Sequence, residues 1–272
     1  KPRTNRIIHF FNPSSHERSE PVEVVIWDWP GDKMRIEVID VIGKEVKHQL
    51  IEGKSQQLHP AGKFWGHEYM RLLLNVKVPP YGYSTYLLKE HATEDIKVEI
   101  PTYQRVEKID EYILENNYIR VVMDTHNASI ISMTDKKTGN ELIDAKRSTG
   151  IFRLIEEDDY KGMTAWQIGR YINIYNINCD VKIKNAFINK NQLRQWISYR
   201  ILFRSSRLDV TVSLDSNSTR LNFDVECDWQ EIAQIGKFIP QLNFHMPFAY
   251  RCKDYKYDIP FGAIIRKGMD MD

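Results

Sequence analysis

The sequence predicts an all-β protein, a small β-sandwich over residues 1–104 followed by a large antiparallel β domain over residues 105–272. Short runs of β-branched and aromatic residues recur between turn clusters along the whole chain. Within them apolar and polar residues alternate, the period of a sheet packed on one side. After Asn117 no amphipathic helix longer than two turns is visible, nor is any solenoid or propeller repeat.

In chain order, Ile7 to Phe11 is the first run, and Asn12-Pro13-Ser14-Ser15 ends it as a turn. Val22, Val24 and Ile26 alternate up to the turn at Trp29-Pro30-Gly31-Asp32. Met34 to Val41 alternates again, with Met34, Ile36 and Val38 on one face. Tyr69 to Val78 follows and must stop at Pro79-Pro80, because proline cannot donate to a central ladder. Thr85 to Leu88 completes the small sandwich. Thr102 to Asn117 is charged and reads as an extended connector, although Val106, Ile109 and Ile113 have helical spacing.

The large domain opens with Tyr118 to Asp124, a turn at Thr125-His126-Asn127, and Ile130 to Met133. Asp135 to Asn140 suits a hairpin end. Ile172 to Ile177 and Gln195 to Phe203 are strands, and Leu208–Leu214 with Leu221–Val225 form a hairpin around Asp215-Ser216-Asn217-Ser218.

Composition excludes several classes of function. Lysine and arginine number 38 against 37 aspartate and glutamate, so the net charge is +1 and no long-range field attracts a polyanion. Nucleic acid is therefore not expected as a partner. No run approaches the roughly 18–20 apolar residues of a membrane helix. Cys179, Cys227 and Cys252 are odd in number and widely spaced, which fits a reducing, cytoplasmic compartment. The sequons at Asn127 and Asn217 matter only in a secretory pathway. The chain starts at Lys1 rather than Met, directly before a strand, and ends as abruptly, so it is expected to be a piece of a longer polypeptide.

The usual catalytic motifs fail. Gly53-Lys54-Ser55 resembles the tail of a P-loop, but its leading glycine position is His48. His16-Glu17 and His67-Glu68 begin like zinc-protease helices, yet the second histidine is Glu20 in one and Arg71 in the other. No nucleophile elbow, C-x-x-C pair or His-x-Asp pair occurs. No catalytic residue and no metal ligand is therefore expected in the chain. The acidic run Glu156 to Asp159 could supply an acid and base for glycoside cleavage or bind calcium, but reads first as a solvated loop. Tyr160 and Trp166 continue it and could stack on a sugar ring; for Trp166 core packing is an equal alternative. Trp27, Trp29, Trp65, Trp196 and Trp229 lie in or beside strands, where core packing is the default.

Five segments, in order, resemble glycoside hydrolase family 38 α-mannosidases. They are Phe11-Asn12-Pro13-Ser14-Ser15-His16-Glu17-Arg18-Ser19 with Val22 to Val24; Val78-Pro79-Pro80-Tyr81-Gly82-Tyr83 with Tyr86; Leu114-Glu115-Asn116 through Val121, with Ile130 to Met133 and Asp135 to Gly139; Ala165-Trp166-Gln167-Ile168; and Tyr257 to Gly262 with Arg266. Two departures exist: Asn127-Ala128-Ser129 lacks the family's turn glycine, which Asn127 could replace because asparagine tolerates positive φ, and Gln167 replaces an aspartate. The resemblance implies that the chain is the C-terminal β-rich region, its large domain a galactose-mutarotase-like supersandwich cut short at its C-terminus. It implies a zinc-dependent, retaining attack on α-mannosides by the complete enzyme, with zinc and the catalytic carboxylates in an N-terminal barrel outside this chain. It implies that barrel and an α-mannoside or oligosaccharide as partners. One β-region loop, Glu156 to Gln167, would wall the sugar pocket, making Asp158, Asp159, Tyr160 and Trp166 candidate substrate-binding residues, with Arg266 a further one outside it. The alternatives from the residues are a free-standing carbohydrate-binding module and a structural or self-associating β module, the latter marked by a large exposed apolar patch.

Overall fold

A computed structural model describes residues 5–51, 63–91, 111–144, 146–160, 162, 166–233 and 236–267. Among them the strands are β1 (Asn5–Asn12), β2 (Arg18–Trp27), β3 (Ile36–Asp40), β4 (His48–Ile51), β5 (Lys63–Phe64), β6 (His67–Val78), β7 (Gly82–Glu90), β8 (Glu111–Glu115), β9 (Ile119–Asp124) and β10 (Ile130–Asp135). They continue as β11 (Ile151–Glu157), β12 (Tyr171–Asn176), β13 (Val181–Phe187), β14 (Arg194–Phe203), β15 (Ser206–Asp215), β16 (Leu221–Asp228), β17 (Ile239–His245), β18 (Asp254–Ile259) and β19 (Gly262–Lys267). The fold is all-β with antiparallel sheets, as the alternation predicted. One correction applies to the run from Met34: residues Lys33–Arg35 form a single 3₁₀ turn, and the strand begins at Ile36.

Two sheets, β1-β7-β3 and β2-β6-β4, enclose a first core of Ile26, Ile36, Val38, Leu72, Leu74, Val76 and Leu88. A second core collects Tyr112, Leu114, Val121, Met123, Phe152, Leu154, Ile197, Tyr199, Ile201, Val210 and Val212. Those residues come from β8-β9-β10, β12-β11-β17 and β13-β14-β15-β16. The alternation read in Gln195 to Phe203 is the pattern β14 shows, every second residue being buried. The hairpin read around Asp215 pairs Leu214 with Leu221. The expected boundary at 104/105, the helical positions Val106 and Ile109, and Gly53-Lys54-Ser55 lie outside the described residues; Ile113 sits in strand β8.

The motifs that carried the resemblance hold turns. Asn12, buried at the end of β1, donates from Nδ2 to the carbonyls of His16 at 2.8 Å and Pro79 at 3.0 Å, and its Oδ1 accepts from the Ser14 amide at 3.0 Å. It thereby satisfies backbone groups from two turns at once. Tyr86 reaches back so that its hydroxyl accepts from the Lys77 amide at 2.8 Å, across the Pro79-Pro80 turn. The Asn116 Oδ1 accepts from the amides of Tyr118 and Ile119, while its Nδ2 donates to the carbonyls of Asp215 and Ser218, both at 2.7 Å. The turn before β10 corrects an expectation: Ala128, with φ +54°, takes the left-handed conformation. Asn127 instead accepts the Ser129 amide through its side chain at 2.8 Å.

Glu115, on β8, accepts from Lys136 Nζ at 2.8 Å and Lys190 Nζ at 2.5 Å. These hydrogen bonds hold its carboxyl at about 2, down from an ordinary 4.5. A depressed carboxylate contributes stability that is complete above its unfolded value and fades as pH falls toward its folded one. The Lys136→Met/Lys190→Met double variant is expected to unfold at a higher pH on acid titration. Its loss near pH 7 should stay below about 1 kcal/mol, because exposed lysines are screened. Circular dichroism across pH 2–7 measures this, and coincident acid midpoints would sink it.

The two cores meet at a polar junction. The Arg194 amide donates to Gln49 Oε1 at 2.9 Å, and Gln49 Nε2 donates back to the Arg194 carbonyl at 3.1 Å, so a β4 side chain mimics a strand partner for β14. Arg194 grips Asp215 with Nε at 2.6 Å and Nη2 at 3.1 Å, and reaches Glu23 of β2 at 3.4 Å. Ile51, Leu73 and Leu193 form a small buried cluster beside it.

Candidate functional site

The acidic run is not a solvated loop throughout. Glu156 and Glu157 belong to β11 and are 6% and 1% exposed. Neighbours on a regular strand point to opposite faces, so burying both requires cover on each side. The pairing with β12 also slips there: Glu156 pairs with Asn173 and Glu157 with Tyr171, leaving Ile172 as the extra residue of a bulge. Bulges re-aim side chains in this manner and are frequent beside functional sites.

Each buried carboxylate is saturated with donors. Glu156 accepts from Arg204, from Asn173 Nδ2 at 2.8 Å and from the Tyr175 hydroxyl at 3.4 Å. Burial pushes its carboxyl up, but the Arg204 and Asn173 hydrogen bonds outweigh that and leave it below the usual range. Arg204 sits at φ +47° in the two-residue turn between β14 and β15, which aims its guanidinium back over β11. It also faces Glu231 at 3.5 Å. Glu157 accepts from the Gly169 amide and from Gln241 of β17.

Beyond β11 the loop is closed by Arg170. Asp158 accepts from the Arg170 amide at 3.0 Å and from its Nε at 2.8 Å. Burial raises this carboxyl and Arg170 lowers it, with a net shift downward. The Arg170 guanidinium lies 4.5 Å from the centre of the Tyr160 ring. Gly169 packs so closely that a Cβ there would stand 2.1 Å from the Asp158 carbonyl. Asp159 is exposed, its Oδ2 3.5 Å from the Gly236 amide.

Of the predicted residues, the structure thus joins Asp158 and Tyr160 through Arg170, and sets Asp159 against Gly236. Trp166 is 80% exposed, which removes the core-packing alternative. Arg266 does not join them. It lies on the β18-β19 hairpin with its guanidinium 5.4 Å from the Tyr257 ring, and no described contact links that hairpin to the loop. Sequence reading missed Arg170, Arg204, Asn173 and Gln241. The turn after Phe203 was legible, but nothing local said that Arg204 folds back onto a carboxylate 48 positions earlier.

Glycoside cleavage needs one carboxyl with a raised pKa as general acid. Glu156 and Asp158 are both shifted the other way. No group of three or more His, Cys, Asp or Glu side chains among the described residues is arranged to hold a metal ion. No helix among the described residues is long and apolar enough to cross a membrane.

Comparison with known proteins adds the following. The model of the Glycosyl hydrolases family 38 C-terminal domain matches residues 114–272. No curated protein matches the sequence. The solved structure of a glycosyl hydrolase family 38 protein from Enterococcus faecalis is similar, with a TM-score of 0.65 and 16% identity. The match covers 98% of this chain and 35% of that one, so this chain spans about a third of its length. At such identity the likeness bears on the fold alone.

Proposed function

This chain belongs to glycosyl hydrolase family 38, and from that premise we propose that it is the non-catalytic C-terminal β region of an α-mannosidase. In this reading it braces a separate catalytic part and presents the loop from Asp158 to Arg170 to the sugar. The partners are that catalytic part and an α-mannoside, zinc is bound outside this chain, and the enzyme acts in the cytoplasm.

The observation that carries the reading is the loop itself. Trp166 and Tyr160 are both exposed, Tyr160 faces the Arg170 guanidinium, and the carboxylates of Glu156 and Asp158 are already held by Arg204 and Arg170. Flat aromatic faces suit the C–H face of a pyranose, and an ionised carboxylate accepts sugar hydroxyls. The bracing role is favoured by exposed apolar side chains on the outer strands: Ile172, Ile174 and Tyr175 of β12 and Phe244 of β17.

Trp166→Ala in the full-length enzyme is expected to lower kcat/KM on an aryl α-mannoside about tenfold, mainly through KM, as uniform-binding losses do. The chain alone should give no turnover with added Zn²⁺. Unchanged kcat/KM in Trp166→Ala would remove the loop from the sugar site. Turnover by the purified chain would overturn its non-catalytic role, and failure of the full enzyme on every α-mannoside would overturn the activity.

A further inference from the structure

Two tryptophans expected in the core are not there. Trp29 is buried at 6%, but Trp27 is 45% and Trp65 86% exposed. The ladder puts them at one end of β2-β6. Trp27 pairs with Tyr69, their rings 5.1 Å apart, and Phe64 pairs with His67 across the two-residue Trp65-Gly66 turn. His67 in turn shares a hydrogen bond with Asp28, Nδ1 to Oδ2 at 2.8 Å, and the Glu68 amide donates to the other Asp28 oxygen at 3.0 Å. Aromatic surface and a fixed carboxylate–imidazole pair therefore share one sheet end. The middle of the same outer face, at Glu23 and Leu73, is taken up by the junction with the second core.

The backbone is costly at Trp65 and also departs from the extended form at Asp28. Trp65 has φ +50° and Asp28 φ +48°, in the left-handed region. With Gly66 at φ +82°, the turn has positive φ at both central residues, for which Asn-Gly is the favoured pair. A bulky side chain at positive φ is disfavoured, and such outliers persist where the side chain has a use. The turn alone would be better served by another residue.

We infer that Trp65, Trp27 and the Asp28–His67 pair form a second carbohydrate-binding platform, on the small sandwich and separate from the loop after β11. The choice of a pyranose ligand rests on the glycoside-processing reading above. The indole faces stack on the sugar ring, and Asp28, held ionised by the His67 hydrogen bond and the Glu68 amide, accepts ring hydroxyls. The platform would hold a polymeric glycan while another part of the enzyme cuts it.

Affinity electrophoresis of the 272-residue chain in gels containing α-mannan, β-glucan or xylan tests this. Retardation by at least one polysaccharide is expected, weakened at least tenfold in Trp65→Asn. That variant creates the favoured turn pair, so its thermal midpoint should equal or exceed the parent's while binding is lost; Trp27→Ala should weaken binding without the gain. Retardation in no gel, or undiminished retardation in Trp65→Asn, overturns the platform. Retardation lost in Trp166→Ala but kept in Trp65→Asn also overturns it, and leaves the proposed function standing. Failure of the full enzyme on α-mannosides would instead sink the proposed function without altering retardation.

Discussion

Arg204→Met is expected to destabilise the protein by about 3 kcal/mol at pH 7, and by less as the pH falls. The variant removes the only cation hydrogen-bonded to Glu156 among the described residues, while leaving that carboxylate 6% exposed. Stranding a buried charge costs roughly 3–5 kcal/mol. The lower end applies because Arg204 is 35% exposed, so water reaches the pair. The pH dependence follows from the sign of the shift. In the parent the Glu156 carboxyl lies below its ordinary 4.5, so the pair's contribution is present above that value and is lost in acid. In the variant only the Asn173 and Tyr175 hydrogen bonds oppose burial, so the folded pKa rises relative to the parent's, and Glu156 takes up its proton at a higher pH. The gap between parent and variant should therefore narrow as the pH falls into the carboxylate range. Glu156→Gln should cost only about 1–2 kcal/mol, with no such narrowing, since it removes the charge together with the need for a cation. Urea unfolding at several pH values measures all three, and a gap independent of pH would refute the charge argument.

Glu156 also marks where sequence reading stops. Four consecutive acidic residues resemble a solvated loop because the usual cost of burying charge is high. Two of them are buried because donors arrive from β12, β17 and the β14-β15 turn, 17 to 84 residues away. Local composition carries no trace of that. By contrast, the turns were legible because their physics is local: Asn12, Asn116 and Asp135 cap amides two or three residues ahead. Ala128 shows the limit even there. The need for positive φ in that turn was readable, but the residue adopting it was misplaced by one position. Trp27 was within reach of the sequence, since it breaks parity with Val22, Val24 and Ile26, whose face turns inward. Trp65 was not, because no pattern distinguishes a tryptophan at a hairpin tip from one in a strand. Asp158 and Tyr160 were placed together by proximity in sequence, whereas Arg266 was joined to them only by resemblance, and the structure keeps it on a separate hairpin.

The same reasoning about unpaired charge, applied to Arg194, bears on how the two cores hold together. Arg194→Ala is expected to cost about 3–5 kcal/mol and to separate one unfolding transition into two. Asp215 is 9% exposed and loses both its bidentate hydrogen bonds, the geometry in which arginine binds a carboxylate most strongly. Glu23, on the other side of the junction, loses its link to the second core at the same step. The Gln49 bonds survive because they use the Arg194 backbone, so the variant isolates the charged part of the junction from the β-like part. Gln49→Leu removes the other part and strands the Arg194 amide, for about 1–3 kcal/mol. If the two sets act on one interface, the double variant should lose more cooperativity than either single one, and their losses should not add. Intrinsic tryptophan fluorescence has reporters in each core, Trp29 in the first and Trp229 packed against the second. Coincident fluorescence and calorimetric transitions in Arg194→Ala, at an unchanged midpoint, would overturn this role for the junction. Divergent transitions would place the coupling in Arg194, a single residue of β14 that addresses β2 with its side chain and β4 with its backbone.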